Sequence, residues 1–213
     1  MKLLKTFSIL IGLLLLVGIS DLIYFYRNEP NRFGKVFLFL SLQQSKKSNL
    51  PEVLKNLNRA ADLHIKQNKI TYNSKLSGVE NFPNVSGFNE NTKAEFTTYL
   101  KKILPLAYEK NSAKLLARIY YNLGLLAHKK NYFKQADVLI TIAVSLEPEA
   151  GHLYLELANI YYNNGEKAKG NKIIKKCLQF KSPKKQCQEY MSDNVSLNSF
   201  FHIGIFKDVI DTY

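Results

Sequence analysis

The chain has 213 residues, of which 46% are hydrophobic and 22% charged, so it can bury an apolar core. Its two cysteines exclude a disulfide-dense scaffold and a four-cysteine zinc site. The net charge of +13 favours acidic proteins, anionic lipid surfaces or nucleic acid as partners. A Lys- and Asn-rich composition of the source genome would give the same charge, so charge alone selects no partner.

The N-terminal segment is strongly apolar. Residues 7–26 read FSILIGLLLLVGISDLIYFY. About twenty helical residues cross the hydrocarbon core of a bilayer, and Asp21 lies toward one end, where a charge costs less than at the centre. The pattern therefore predicts a single-pass membrane anchor over residues 7–26. The densest apolar part, residues 7–19, is shorter, and the small residues within 18–20 leave a cleaved signal peptide and a secreted protein as the alternative.

Basic residues flank this apolar segment on both sides. Lys2 and Lys5 precede it, and Arg27, Arg32 and Lys35 follow it. The positive-inside count is therefore nearly balanced. Because a very short basic leader usually stays in the cytoplasm, we expect the rest of the chain to lie outside the cytoplasm.

Three regions precede the repeated part of the chain. Residues 27–70 predict a helical hairpin that breaks at 46–49 (KKSN). Residues 71–91 are rich in Asn, Ser, Gly and Pro and predict a polar loop. Residues 92–116 predict a linking helix that ends near Lys110. Its expected features are one apolar side, a kink at a proline, and a cap for the next helix, carried in turn by Phe96, Leu100, Ile103 and Leu104, by Pro105, and by Asn111 and Ser112.

Residues 117–150 and 151–184 are two copies of one pattern, aligned without a gap at a spacing of 34 residues. Bulky residues three apart share a helix face, and small residues let two helices approach closely. Asn131 and Pro148 end helices in the first copy, and residues 163–165 (NNG) form a turn in the second. Each copy therefore predicts an antiparallel helix pair. The matched positions are Tyr120 and Tyr154, Leu123 and Leu157, Gly124 and Ala158, Ala136 and Gly170, Ile140 and Ile174, and Ala143 and Cys177.

This pattern resembles the tetratricopeptide repeat (TPR) family, which places an aromatic residue, Leu and a small residue in the first helix and Ala and Pro later. Ala127 and Ile140 stand where an aromatic residue is usual, and Cys177 stands for Ala, but none of these departures would break the packing. The resemblance implies an all-α fold, a short right-handed α-α superhelix, and a protein-binding role.

Two such repeats seldom stand alone, because their terminal faces need cover. Residues 34–65 fit a degenerate earlier copy, with a plain helical hairpin as the alternative. Residues 185–213 predict a capping helix and a C-terminal segment. The positions that carry the degenerate copy are Phe37, Leu40 and Ser41 in its first helix and Val53, Leu57 and Ala60 in its second.

The resemblance also implies a concave partner groove lined by the first helix of each repeat. Asn side chains can bond a peptide backbone, and Tyr supplies contact area. The alternative is that Tyr121 and Leu125 pack against helices of the same chain. These two residues also replace the Lys and Asn with which some family members clamp a terminal carboxylate, which argues against such a clamp. The predicted groove residues are Arg118, Tyr121, Asn122, Leu125, His128, His152, Leu155, Asn159 and Tyr162.

No motif in the sequence points to catalysis. The four histidines are not at metal-ligand spacing, and the sequence has no HExxH, Gly-rich phosphate loop or GxSxG. We therefore expect no enzymatic activity, cofactor, metal, small-molecule substrate or nucleic acid. The expected partner is a protein or peptide, and the oligomeric state stays open.

Two further features have open interpretations. Cys177 and Cys187 could form a disulfide outside the cytoplasm, or Cys177 could be a buried thiol at an Ala-type position. A lysine cluster near the last repeat could bind polyanions or lipid, or could be a solvated helix face. The predicted function is a membrane-anchored protein-interaction scaffold. The alternatives are a structural subunit inside a larger membrane complex and a polyanion or lipid-surface binder that uses Lys172, Lys175, Lys176, Lys181, Lys184 and Lys185.

Overall fold

A computed structural model of the protein describes residues 30–67, 84–179 and 188, and all regular structure within these residues is helical. The expected all-α class is therefore confirmed. The chain divides into two compact units, residues 1–147 and 148–213. The helices are α1 (Pro30–Lys46), α2 (Leu50–Gln67), a 3-10 turn (Val85–Gly87), α3 (Glu90–Lys110), α4 (Ala113–Lys129), α5 (Phe133–Leu146), α6 (Gly151–Asn163) and α7 (Lys167–Cys177).

Two predicted segments lie outside the described residues. These are the apolar anchor at residues 7–26 and, apart from residue 188, the capping segment at 185–213. Among the helices that the structure describes, none is both long and apolar enough to cross a membrane. The anchor and the cap therefore stay predictions.

In the first unit, α1 and α2 form the expected hairpin, with a break at residues 47–49. Ser48 adopts a positive φ of 55° in this tight connection. The Ser41 hydroxyl donates to the carbonyl oxygen of Val53 at 3.1 Å, which joins the two helices where both are buried. Helix α1 also packs against α3, so it has neighbours on two sides.

The buried face of α1 differs from the one that a degenerate repeat would use. Leu38 and Ser41 are fully buried, whereas Phe37 is half-buried and Leu40 is exposed. Because α3 as well as α2 packs on α1, the buried face is turned away from Phe37 and Leu40. The hairpin is thus present, but two of its repeat-like positions do not face the core.

The end of the predicted polar loop is ordered and partly buried. The 3-10 turn at Val85–Gly87 leads into Phe88, whose ring centroid lies 4.9 Å from that of Phe96 and 4.7 Å from that of Tyr132. Asn89 then caps α3 through a bond from the Thr92 amide at 2.8 Å. The sequence reading of residues 71–91 as loop missed this contact, because one aromatic residue in a polar segment shows no periodicity.

Helix α3 runs through Pro105 and ends at Asn111, which adopts a left-handed conformation with φ 43°. The next residue, Ser112, caps α4 as expected, since its hydroxyl accepts a bond from the Leu115 amide at 3.2 Å. Helix α4 therefore begins at Ala113, four residues before the repeat pattern starts at Ala117. The linking region thus ends at Ser112.

The α4–α5 hairpin closes at Asn131, which has a φ of 64°. Its two helices approach most closely at Gly124. A Cβ atom there would lie 2.5 Å from Ile140 Cδ1, so a larger residue would force Ile140 to move. The prediction of a small residue at this crossing is therefore explained by contact with Ile140.

The second unit contains the α6–α7 hairpin, which turns at Gly165 with a φ of 77°. The Tyr154 hydroxyl donates to the Pro148 carbonyl oxygen at 2.8 Å, which ties α6 to the residues before it. Here the close approach is at Gly170 in α7, where a Cβ atom would lie 2.9 Å from the Tyr162 ring. The predicted turn at residues 163–165 is therefore observed.

The two hairpins bury the same pattern positions. In both, the aromatic residue, the leucine and the small residue of the first helix are buried, as are the three matched positions of the second helix. A period of 34 residues thus corresponds to equivalent packing inside two hairpins. The buried pairs are Tyr120 and Tyr154, Leu123 and Leu157, Gly124 and Ala158, Ala136 and Gly170, Ile140 and Ile174, and Ala143 and Cys177.

Candidate protein-interaction surfaces

One face of α4 stays partly open after the hairpin and α3 have packed. Its residues recur at intervals of three and four, so they form one stripe along the helix. The stripe combines a basic end, an aromatic ring and an aliphatic side chain, a composition suited to protein contact. We call this the α4 stripe; its members are the exposed Lys114 and the half-buried Arg118, Tyr121, Leu125 and His128.

The α4 stripe contains four of the five groove residues predicted in this repeat. The fifth, Asn122, is only 2% exposed and lies beside the stripe, toward α3. Its side-chain amide donates to the Tyr99 hydroxyl at 3.0 Å. Asn122 therefore joins two helices of the same unit, and a peptide would have to displace Tyr99 to reach its amide.

Tyr99 forms a polar contact that the sequence prediction did not include. Burial raises the pKa of Tyr99 to about 12, against the opposing effects of the Asn122 bond and the positive charge of Arg118. The phenol therefore stays protonated and can donate a bond of its own while it accepts one from Asn122. Tyr99 lies three residues after the buried Phe96 in the same helix, so helical spacing was the signal that could have identified it.

Edge contacts position both ends of the α4 stripe. At its start, the charge of Lys114 acts on Glu147, while burial raises the pKa of the Glu147 carboxyl. At its end, the His128 ring lies 5.7 Å from that of Phe133 in an edge-to-face arrangement. The stripe therefore sits on a rigid helix whose two ends contact α5 or the residue that follows it.

In the second unit, α6 carries the matching positions on its own. His152 is exposed, and Leu155 and Tyr162 are half-buried, whereas Asn159 is only 3% exposed. The Tyr162 hydroxyl donates to Asn171 of α7, and its ring covers Gly170. Leu155 and His152 thus remain the more available of the predicted groove residues on this helix.

The cysteine prediction is only partly within the described residues. Cys177 is buried, and its sulfur is disulfide-bonded. The sulfur lies 3.4 Å from the Gly151 carbonyl oxygen, a packing contact, because a bonded sulfur carries no proton to donate. Cys187 lies outside the described residues, so its pairing with Cys177 stays a prediction.

The lysine cluster is also only partly described. Lys172 and Lys175 are exposed on α7, and Lys176 lies 5.6 Å above the Tyr154 ring. Lys181, Lys184 and Lys185 lie outside the described residues. In the part of the chain that the structure covers, no group of three His, Cys, Asp or Glu is placed to hold a metal ion.

The fold and these surfaces define an all-helical protein of TPR-like hairpins, the class from which protein-interaction modules are built. A 105-residue stretch, 46% of this chain, is 28% identical to the TPR repeat-containing protein YvcD of Bacillus subtilis (strain 168). The aligned part spans 21% of that relative, so this chain corresponds to about a fifth of its length. No protein-family model and no solved structure matches the chain.

Proposed function

We propose that this protein is a membrane-anchored scaffold that binds a protein partner through TPR-like helices and has no enzymatic activity. The observation that carries the proposal is the equivalent burial of six matched positions in two hairpins at a spacing of 34 residues. The likeness to a TPR repeat-containing protein supports a role in protein interaction. The TPR-type superhelix is part of this proposal.

The α4 stripe is the proposed contact surface. Arg118 and Lys114 supply positive charge, and Tyr121 and Leu125 supply apolar area beside it. A partner segment with acidic and apolar residues would complement this combination. Leu155 of α6 offers an apolar contact at the position that matches Tyr121 in the other repeat.

Site-specific crosslinking would test the proposal. A photoreactive phenylalanine at Tyr121 should crosslink a defined protein in native membranes, and one at Leu155 should give the same product. The matched control is the probe at Lys102, an exposed position on α3. The proposal would fail if all three positions gave the same pattern, or if none gave a product while the full chain stayed folded.

Charge reversal gives an independent readout. Arg118→Glu removes positive charge from the centre of the α4 stripe and should reduce crosslinking from Tyr121 by about tenfold, the upper part of the range for a rim charge. Lys102→Glu changes net charge equally and should leave crosslinking unchanged. Equal losses in both variants would indicate a general effect of charge.

The membrane part of the proposal rests on residues 7–26 and needs its own test. A reporter that is active only after export, fused after Tyr213, should be active on a chain that keeps its N-terminus. In that case, mass spectrometry without reduction should show a disulfide between Cys177 and Cys187. An inactive reporter would place the repeats in the cytoplasm, and loss of the N-terminus would indicate a cleaved signal.

A further inference from the structure

Large apolar side chains are exposed on one face of α1. Val36, Phe39 and Leu40 are 53%, 44% and 38% exposed, whereas Leu38 and Ser41 on the opposite side are fully buried. With 3.6 residues per turn, the three exposed residues fall within an arc of roughly 100°. Helix α1 therefore presents a narrow apolar strip to its surroundings.

Basic residues lie at both ends of this strip and on the same side of the helix. Arg32 and Lys35 precede the apolar residues by about one turn, and Lys46 and Lys47 follow them. The sequence has no acidic residue between Pro30 and Pro51. We call this surface the outer face of α1; it consists of Arg32, Lys35, Val36, Phe39, Leu40, Lys46 and Lys47.

Tyr108 of α3 extends this face. Its ring centroid lies 6.0 Å from that of Phe39, and the Lys35 ammonium group lies 5.2 Å above the same ring. Tyr and Phe side chains that have one apolar part and one polar neighbour favour the interface between water and hydrocarbon. The outer face thus combines three features of interfacial helices: aliphatic residues, aromatic residues and flanking cations.

The position of α1 in the chain brings this face close to the proposed anchor. Helix α1 begins at Pro30, so only residues 27–29 separate it from the apolar segment 7–26. Three extended residues span at most about 10 Å. A chain anchored through residues 7–26 would therefore hold the start of α1 at the headgroup region.

From these observations, and resting on the proposed anchoring, we propose that the outer face of α1 lies on an anionic membrane surface. Val36, Phe39 and Leu40 enter the boundary between headgroups and acyl chains, and the basic residues contact anionic headgroups. A second copy of the chain is a poorer occupant, because two such faces would bring cationic ends together without any acidic residue of α1 to compensate.

A tryptophan reporter in the full chain tests this proposal. The natural sequence has no tryptophan, so Phe39→Trp creates a single fluorophore on the outer face. The matched control is Lys129→Trp, at the exposed end of α4. Both variants are reconstituted into vesicles of phosphatidylcholine with phosphatidylglycerol, with and without brominated acyl chains, and flotation measures how much chain is membrane-bound.

We expect brominated lipid to quench Phe39→Trp and to leave Lys129→Trp unquenched. In the Phe39→Trp background, each of Lys46→Gln and Lys47→Gln should weaken docking of the face by about fivefold, and high salt or neutral vesicles should weaken it further. Circular dichroism checks that each variant keeps its helix content. These effects should act on quenching and leave flotation of the anchored chain unchanged.

The two proposals fail in different ways. A chain that floats with vesicles but shows no quenching at position 39 would overturn the docking of α1 and keep the anchor. A chain that does not float would overturn the anchor and, with it, the docking. A blue-shifted, concentration-dependent emission that lipid does not quench would show that a second copy covers the face, and would also overturn the proposal.

Discussion

The hairpins α4–α5 and α6–α7 follow the same 34-residue pattern but achieve their closest approach in opposite ways. In the first, the glycine is Gly124 on the leading helix, and Ile140 fills the space above it. In the second, the glycine is Gly170 on the trailing helix, and the Tyr162 ring covers it. The pattern thus specifies that one side of each crossing is small, while either helix can supply the small residue.

The neighbouring side chains make the two crossings unequal in rigidity. Ile140 is fully buried, so it has little freedom to move away from a larger residue at position 124. Tyr162 is half-buried and can swing toward solvent. The first hairpin should therefore be the more sensitive of the two to substitution at its glycine.

The largest expected effect comes from removing the buried aromatic residue of either hairpin. Tyr120→Ala should lower the free energy of unfolding of the first unit by about 3–5 kcal/mol, the usual cost of a large buried ring. Tyr154→Ala should have a similar cost in the second unit. Both rings are 1% exposed. Hydrogen exchange resolved by peptide should show faster exchange mainly in the unit that carries the substitution.

The control for this experiment is Tyr121→Ala, next in sequence but half-buried, which should change exchange far less. If Tyr120→Ala accelerated exchange equally in both units, the two would unfold together, and the division at residue 147 would have no energetic meaning.

The glycine pair gives the next largest effect and tests the comparison directly. Gly124→Ala should destabilise the first unit by about 1–3 kcal/mol, because overpacking against Ile140 exceeds the gain in helix propensity. Gly170→Ala should be within about 1 kcal/mol of neutral, since the Tyr162 ring can yield. Urea unfolding of the full chain, followed through peptides of each unit, measures both.

A double mutant identifies the cause. Ile140→Val removes the Cδ1 atom that lies 2.5 Å from the added methyl group. It should therefore cost less in the Gly124→Ala background than in the natural chain. Additive effects would show that Ile140 is not what opposes a side chain at position 124.

A pH effect should distinguish the first unit from the second. His64 is buried, and its Nε2 lies 2.9 Å from Asn111 Oδ1 at the end of α3. Burial lowers the pKa of His64, while the bond to Asn111 acts in the opposite direction. The neutral form is thus favoured in the folded state, so its stabilisation is complete above the unfolded pKa of about 6.5 and is lost as pH falls below it.

We expect the free energy of unfolding of the first unit to fall below pH 6.5 by at most about 1.4 kcal/mol per pH unit. His64→Gln removes this titration and keeps a side chain able to bond Asn111. The difference between the natural chain and His64→Gln should therefore vary with pH between 7 and 5. A difference that stayed constant over this range would rule out His64 as the group responsible.

The smallest expected effects concern the helix starts. Ser112 caps α4, whereas α6 begins at Ala150 without a side-chain cap. Ser112→Ala should cost about 1 kcal/mol, and Ala150→Ser should stabilise α6 by about 0.5 kcal/mol or more, since Ala150 already has the extended backbone of a cap. Thermal unfolding should show opposite shifts for the two variants. Shifts of the same sign would mean that capping does not explain either one.

Much of the helical organisation followed from local pattern. The repeat spacing, the turns at Asn131 and Gly165 and the cap at Ser112 were all readable, because periodicity, positive-φ residues and cap chemistry act within a few residues. The candidate surface was less predictable. Four of the five predicted residues of α4 remain accessible, but Asn122 does not, because its burial depends on Tyr99 from another helix.

By itself, the sequence determined an all-helical chain, two matching hairpins and the positions each hairpin buries, since these depend on helix period and side-chain size. Only the tertiary structure decided how α1 is turned, where Phe88 is anchored and which glycine meets which neighbour. The reason is physical: those outcomes depend on contacts between segments distant in sequence, such as α3 against α1, and no local pattern records which surfaces will meet.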